Sequence, residues 1–456
     1  MADPSGPPKA SANTGDILAA IDWLVQNTAV RTLNLSLGAL TPEDDDSFAQ
    51  ALDQLVDVYG LLLAVAAGNG GPEAMTVNTP GLAYNILSVA NWSARGTIHY
   101  SSSRGPTPGG RRKPDLAAPG TNILSLAYNW DEAGRDDFII KTGTSMAAPH
   151  IAGAGALLMQ AGVIDMMAVK AILLNSTDNV GWENDRGWGY ANLNTARNSL
   201  HYKTGQLAAR PAPGHYHLYS LRSPGSFKAT ATWNRHIARG STSAFNNIDL
   251  YAYSRASGSL LSASELVKDN VEQVSGNSLE DVIVKVKMMS TSLAGGIARE
   301  KYAIAFSTGD TASMTGPVLA LNCAPSSNPV EPSTTFTVLC TASNWGDLPA
   351  FGALGALTLP PGFSGSSTVT LGMLQPSAAG SGVFELVASG TPGNYTFQAS
   401  VQGTAYDESF TGTTSFALTV AAPETVSAPS TPVGTVNGSA LVSYSYASGD
   451  ARSSMG

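Results

Sequence analysis

The run Gly143-Thr144-Ser145-Met146-Ala147-Ala148-Pro149-His150 brings a serine to the junction between an extended segment and a helix. Upstream, Phe138 to Thr142 is a short β-type run. Downstream, Met146 to Gln160 is rich in Ala, Leu and Gly and reads as a buried helix. Gly143 permits the sharp turn between them. The small residues Ala147, Ala148, Ala152, Gly153, Ala154 and Gly155 let the helix approach its neighbours closely. Proline costs nothing in a first helical turn, where its missing N–H would be unpaired anyway, so Pro149 sets the helix start near Thr144 or Ser145. The free N–H groups and positive end of that helix then lie beside the serine oxygen. They favour negative charge developing on a reacting carbonyl oxygen. The chemistry this suits is nucleophilic acyl transfer; the structural alternative is that Ser145 is simply an N-cap.

Two further segments could serve the same chemistry. Leu61 to Ala67 is a continuous apolar run leading into Gly68-Asn69-Gly70-Gly71, a buried strand ending in a glycine-rich turn. Asn69 is either a turn former or an amide donor aimed at a tetrahedral oxyanion. Arg31 to Gly38 alternates apolar residues and ends at glycine, as a core strand does.

The string Gly-Thr-Ser-Met-Ala-Ala-Pro-His-Ile-Ala-Gly over 143–153 closely resembles the serine motif of subtilisin-like serine proteases, the subtilases. Ala66-Ala67-Gly68-Asn69 resembles their oxyanion-hole segment, and Ser36-Leu37-Gly38 the segment whose backbone pairs with an extended substrate. The resemblance implies that Ser145 is the nucleophile and that Asn69, with the Ser145 backbone N–H, stabilises the oxyanion. It also implies that Ser36, Leu37 and Gly38, together with Ala66, Ala67 and Gly68, line the substrate cleft. Substrate would then bind by strand addition, with Gly38 admitting a close peptide. Sedolisin-type relatives would carry Asp at position 69, so Asn69 favours the subtilase branch. By the same resemblance His150 and Asp115 are structural, and the loops at 101–106 and 113–123 belong to the scaffold. Arg111 and Arg112 read as solvated loop charges.

A serine protease of this type also needs a histidine base and an aspartate to orient it. In subtilases both precede the strand at 32–37, in Asp-Ser/Thr-Gly and His-Gly-Thr-His-like motifs, and neither motif occurs here. The six histidines are His99, His150, His201, His215, His217 and His236, all beyond Asn69. Asp16 stands in an amphipathic run with Ile17, Ile21 and Leu24 and reads as a helix cap. The resemblance thus begins near residue 11 and covers the later half to two-thirds of a catalytic domain. The expectation is a fragment of a longer reading frame, with little or no peptidase activity by itself. Met1 to Lys9 reads as a loop and not as a signal peptide, since no apolar core comes after it.

The 456 residues exceed one ordinary domain. Charged residues make up only 13%, while Gly and Pro number 47 and 26, a balance suited to loop-rich extracellular modules. A net charge of −9 argues against nucleic acid as partner. No apolar run reaches ~18 residues, so no membrane-spanning helix is expected. No zinc-type spacing or phosphate-cradling motif occurs. Cys323 and Cys340 are either an intradomain disulfide or two core thiols.

The fold class expected is α/β, a partial subtilisin-like parallel-sheet domain over 1–200, followed by all-β sandwiches. The block 207–310 resembles a pre-peptidase C-terminal-like β-sandwich. Within it Asp249 and Asp269 could hold calcium or simply form turns, and no other cofactor is expected. The block 316–420 has the strand spacing of an immunoglobulin-like domain. A Pro/Ser/Thr linker covers 421–433, and 434–456 begins a further β pattern that stops short. The reading is a secreted, multidomain serine endopeptidase acting on protein or peptide substrates. The rival is a binding or adhesion protein carrying a degenerate protease domain, its β modules contacting cell surface or matrix.

Overall fold

The computed structural model describes residues 12–422, except 42, 94–95, 128–136, 223–224 and 238–244, together with a short pairing of 435–436 with 439–440. Most of the expected linker, and Leu441 to Tyr446 of the tail, lie outside the described residues. The chain divides into two compact units, 1–315 and 316–456.

The first unit opens with α1 (Thr14–Asn27) and continues through β1 (Thr32–Leu35), α2 (Ser47–Tyr59), β2 (Leu62–Ala66), β3 (Leu87–Trp92) and β4 (Leu116–Pro119). These four strands form one parallel sheet in the order β1-β2-β3-β4. β2 is buried at every residue, as expected of a strand covered on both faces. The α1 cap is Asn13, whose side chain accepts from the Asp16 N–H at 2.9 Å. Asp16 therefore sits inside the first turn, where its charge favours the helix N-terminus, and does not cap it. A hairpin of β5 (Ile123–Leu126) and β6 (Phe138–Lys141) leads into α3 (Thr144–Gln160), and α4 (Met166–Asn175) and α5 (Leu193–Asn198) come after it.

Residues 202–314 build two antiparallel sheets, one of five strands and one of four. The four-stranded sheet contains Gly225–Trp233 and Glu300–Phe306, and α4 packs between this sheet and the parallel one. That position explains α4's sequence, Met-Met-Ala-Val-Lys-Ala-Ile-Leu-Leu-Asn: a helix covered on all sides is apolar all round. One hydrophobic cluster accordingly runs from Leu62 and Leu87 through Ile151 and Ile172 to Ala303 and Ala305.

Arg111 is not a solvated charge. It is 2% exposed, donates to Asp44 at 3.0 Å, and lies 3.9 Å from the centre of the Tyr84 ring. Arg235, from the antiparallel layer, takes Asp45 at 2.7 Å and stacks over the same ring at 4.6 Å. Arg112 is half-buried above Trp188. Pairing and ring stacking offset the burial of these guanidinium groups.

The second unit contains two four-stranded antiparallel sheets over Leu319–Val420. Cys323 and Cys340 stand opposite each other on neighbouring strands and form a disulfide, which decides between the two readings of the pair. Among the described residues no helix is long and apolar enough to cross a membrane.

Candidate active site

Ser145 is the second residue of α3, and Gly143 before it contributes no side-chain cap. The donors of the first turn are therefore met from elsewhere in the chain or left open. Asn69, on the turn after β2, meets one. Its Oδ1 accepts from the Thr144 N–H at 3.0 Å and from Thr144 Oγ1 at 3.2 Å. Two donors on one oxygen fix the amide's orientation, because a backbone N–H cannot accept. Among the described residues the Asn69 Nδ2 has no hydrogen-bond partner, and Asn69 is exposed. Thr144 is wholly buried, and Gly68 N–H donates to its hydroxyl at 3.2 Å. Gly68 has φ of +113°, and a Cβ there would meet Asn78 and Ser103 side-chain atoms at 2.7 Å, so this turn admits only glycine.

Ser145 is half-buried, and its hydroxyl contacts the Ser36 carbonyl at 3.5 Å, too long for a strong O–H···O bond. In the other direction Ser36 Oγ donates to the Ser145 carbonyl at 2.7 Å. The reason lies one turn on. Pro149 is not in the first turn but the sixth residue of α3, so it supplies no N–H to the carbonyl four residues before it. That carbonyl belongs to Ser145. Ser36 takes up the vacant acceptor and so ties the end of β1 to the turn bearing the serine.

Leu37 and Gly38 are exposed at the end of β1, the edge strand of the sheet. A Cβ on Gly38 would meet the Thr79 carbonyl at 2.9 Å, so glycine here admits the chain's own Ala39–Thr79 bridge. Ala66, Ala67 and Gly68 are buried, with the Ala67 carbonyl accepting from Asn78 N–H and the Gly68 carbonyl from Ser103 N–H, both at 2.9 Å.

Among the described residues no histidine hydrogen-bonds Ser145. His150 bonds the Met146 carbonyl, His99 bonds Ser101, His217 bonds Tyr302 and His236 bonds Asp57 and Glu300. Asp115 accepts from Ser88 N–H and Lys113 inside the scaffold. Asp249 is engaged by Asn247 and Tyr251, and Asp269 by the Arg112 N–H. Among the described residues no group of three or more His, Cys, Asp or Glu is arranged to hold a metal ion.

Residues 6–189 match the model of the subtilase family. The serine protease AprX of Bacillus subtilis is 31% identical over 218 residues, covering 42% of this chain and 49% of AprX. Pyrolysin of Pyrococcus furiosus is 34% identical over 175 residues, 32% of this chain and 12% of pyrolysin. The extracellular basic protease of Dichelobacter nodosus is 32% identical over 197 residues, 41% of this chain and 30% of that protein. The chain thus spans about half, or less, of the length of these relatives. Among solved structures, the prenylagaramide maturation protease PagA matches at 24% identity and a TM-score of 0.36, over 42% of this chain and 69% of PagA. Residues 6–189 carry a subtilase-family domain, with subtilisin-like serine proteases as relatives.

Proposed function

We propose that this chain carries the nucleophile and oxyanion site of a secreted serine endopeptidase that works through an acyl-enzyme. The observation that carries the reading is the Asn69 amide. Its oxygen is held by Thr144, the residue before Ser145, and among the described residues its Nδ2 has no hydrogen-bond partner. In this reading Ser145 Oγ attacks the peptide carbonyl, and Asn69 Nδ2 with the Ser145 N–H stabilises the oxyanion. An extended peptide adds along the open backbone at Ser36 to Gly38. Ala66 to Gly68 form the opposite wall, with the Ala67 and Gly68 carbonyls already engaged. Among the described residues no histidine is hydrogen-bonded to Ser145, so in this reading the base and its orienting carboxylate come from outside these 456 residues, and the chain alone hydrolyses peptides slowly or not at all.

A peptide boronic acid tests the site without requiring turnover, since boron forms a tetrahedral adduct with a serine oxygen. The adduct should appear in the boron NMR spectrum of the chain and vanish in Ser145→Ala. It should weaken roughly 100-fold in Asn69→Leu, the usual cost of one oxyanion donor. An adduct that survives Ser145→Ala, or none with the unaltered chain, overturns the reading.

A binding role for the second unit is the alternative, and one observation favours it. Between Lys301 and Arg452 there is no Lys or Arg. One outward sheet face presents registered rows such as Thr370, Leu354, Gln402 and Thr411, then Thr368, Ala356, Ser400 and Thr413, without a charge. Such a face suits a neutral matrix polymer. Retention of the whole chain on insoluble neutral polysaccharide, unaffected by Ser145→Ala, would support this role; passage through the column would remove it.

A further inference from the structure

A cavity of about 520 Å³ opens in the first unit where α2 and α4 meet the strand Glu300–Phe306 and the segment around His236. Its charges are unevenly committed. Three carboxylates line it, and each is engaged. Asp57 accepts from His236 Nδ1 at 2.7 Å and from Asn234 at 3.1 Å. Glu300 accepts from His236 Nε2 at 3.0 Å and from Asn246. Asp165 caps α4, accepting from the N–H groups of Met167 and Ala168 at 2.9 and 3.2 Å.

Besides His236, four cations line the same cavity, Arg31, Lys170, Arg299 and Lys301, and among the described residues none of these four pairs with a carboxylate. Arg31, Arg299 and Lys301 are exposed. Lys170 is 4% exposed, and its one hydrogen bond, to the Tyr84 carbonyl at 2.9 Å, uses one of three N–H groups. The rest of the wall includes Val56, Leu61 and Met166. An apolar-walled cavity of this size with a few convergent polar groups is the usual form of a small-molecule site.

We propose that this cavity binds a small polyanion, a molecule carrying at least two carboxylate or phosphate groups. One anionic group meets the Lys170 amine at depth, and the others meet Arg31, Arg299 and Lys301 at the mouth. A buried cation that no carboxylate contacts is costly, and an anion beside Lys170 supplies the direct contact that Asp115 and Asp53, acting from a distance, do not make. In keeping with this, burial pushes the Lys170 amine down to about 7, against the attraction of Asp115. The site is separate from the Ser145 turn and does not depend on that turn's chemistry.

Citrate and pyrophosphate, titrated calorimetrically into the whole chain at low ionic strength, separate the two sources of anion. Saturable one-to-one binding of citrate alone assigns a carboxylate ligand, of pyrophosphate alone a phosphate ligand, and binding of both the shared polyanion chemistry. Affinity should fall with added salt. It should drop about tenfold or more when Arg31→Ala, Arg299→Ala and Lys301→Ala are combined. These residues are exposed, so that variant should melt like the parent when unliganded. Lys170→Met should abolish binding, and Arg222→Ala, elsewhere on the surface, should leave it unchanged. Failure of both anions to saturate, or equal binding by the triple variant, overturns the proposal.

Discussion

His236 is expected to stay protonated well above neutral pH and to hold α2 against the antiparallel layer by charge. Its ring is 15% exposed and reaches two carboxylates, Asp57 at 2.7 Å and Glu300 at 3.0 Å, the second wholly buried. Burial alone would push the imidazole down, but its hydrogen bonds to Asp57 and Glu300 outweigh this and raise it from 6.5 to about 10. At about 1.4 kcal/mol per pH unit the rise sets a ceiling of about 5 kcal/mol. A group whose folded pKa is raised contributes fully below its unfolded value and loses that contribution as pH climbs through the folded one. The His236 contribution is therefore complete below about pH 6.5 and gone above about pH 10. His236→Gln keeps hydrogen-bonding capacity and removes the charge. It should destabilise by roughly 3–5 kcal/mol at pH 6.5, the cost of breaking a buried pair, with the gap narrowing toward pH 10. Denaturant unfolding of both proteins across this range reads the gap. The imidazole C–H resonance, identified by its loss in His236→Gln, reads the titration directly. A ring that titrates near 6.5, or a gap that does not narrow, would refute the charge-based account.

Lys170 should show the opposite sign. Its depressed amine penalises the folded state below about pH 7, and the penalty fades as pH rises toward 10.5. Lys170→Met should therefore stabilise the protein at pH 6 more than at pH 9 by denaturant midpoint, and a pH-independent difference would contradict this. Ser36→Ala leaves the Ser145 carbonyl without its donor. It should cost about 1 kcal/mol of stability and weaken the boronate adduct, whereas Ser36→Thr should restore both; an adduct equal to the parent's would show that the brace does not position Ser145. Gly68→Ala forces a Cβ against Asn78 and Ser103 at 2.7 Å. It should cost more than about 1 kcal/mol by thermal melting, and a neutral result would show that the turn can relax.

The parts of the site carried by local sequence are legible without coordinates. A run of apolar residues before Asn69 could hardly be other than a buried strand, and β2 is one. Gly143 and the small residues after it mark the start of α3 within a residue. What escapes is what depends on distant partners. Pro149 reads as a first-turn residue because only there is it free of cost locally; in the fold its cost is met by Ser36, 109 residues from Ser145 in sequence. Arg111 reads as a loop charge because Asp44 and Tyr84 are far from it along the chain. Asp16 reads as the α1 cap where Asn13 is the cap in fact. Both are good cap residues, and spacing alone does not say which side chain faces the free N–H groups.

α4 shows how far the subtilase-family domain depends on the antiparallel sheets beyond residue 200. If the parallel sheet were its sole support, one face of α4 would meet water, and a sequence with Ile172, Leu173 and Leu174 in succession would be poorly suited there. Buried Ala303 and Ala305, on a strand beyond residue 300, complete the same hydrophobic cluster. Polar contacts repeat the pattern. Asn85 donates to the Arg235 carbonyl at 2.9 Å and accepts from the Arg235 N–H at 2.8 Å, while Lys228 donates to the Thr177 carbonyl at 2.6 Å. Separating the antiparallel sheets from the parallel sheet would expose apolar surface and orphan buried polar groups at once, and each carries its own cost. The antiparallel layer is therefore part of the structure that holds α4, and through the shared core it supports the base of α3, the helix that carries Ser145.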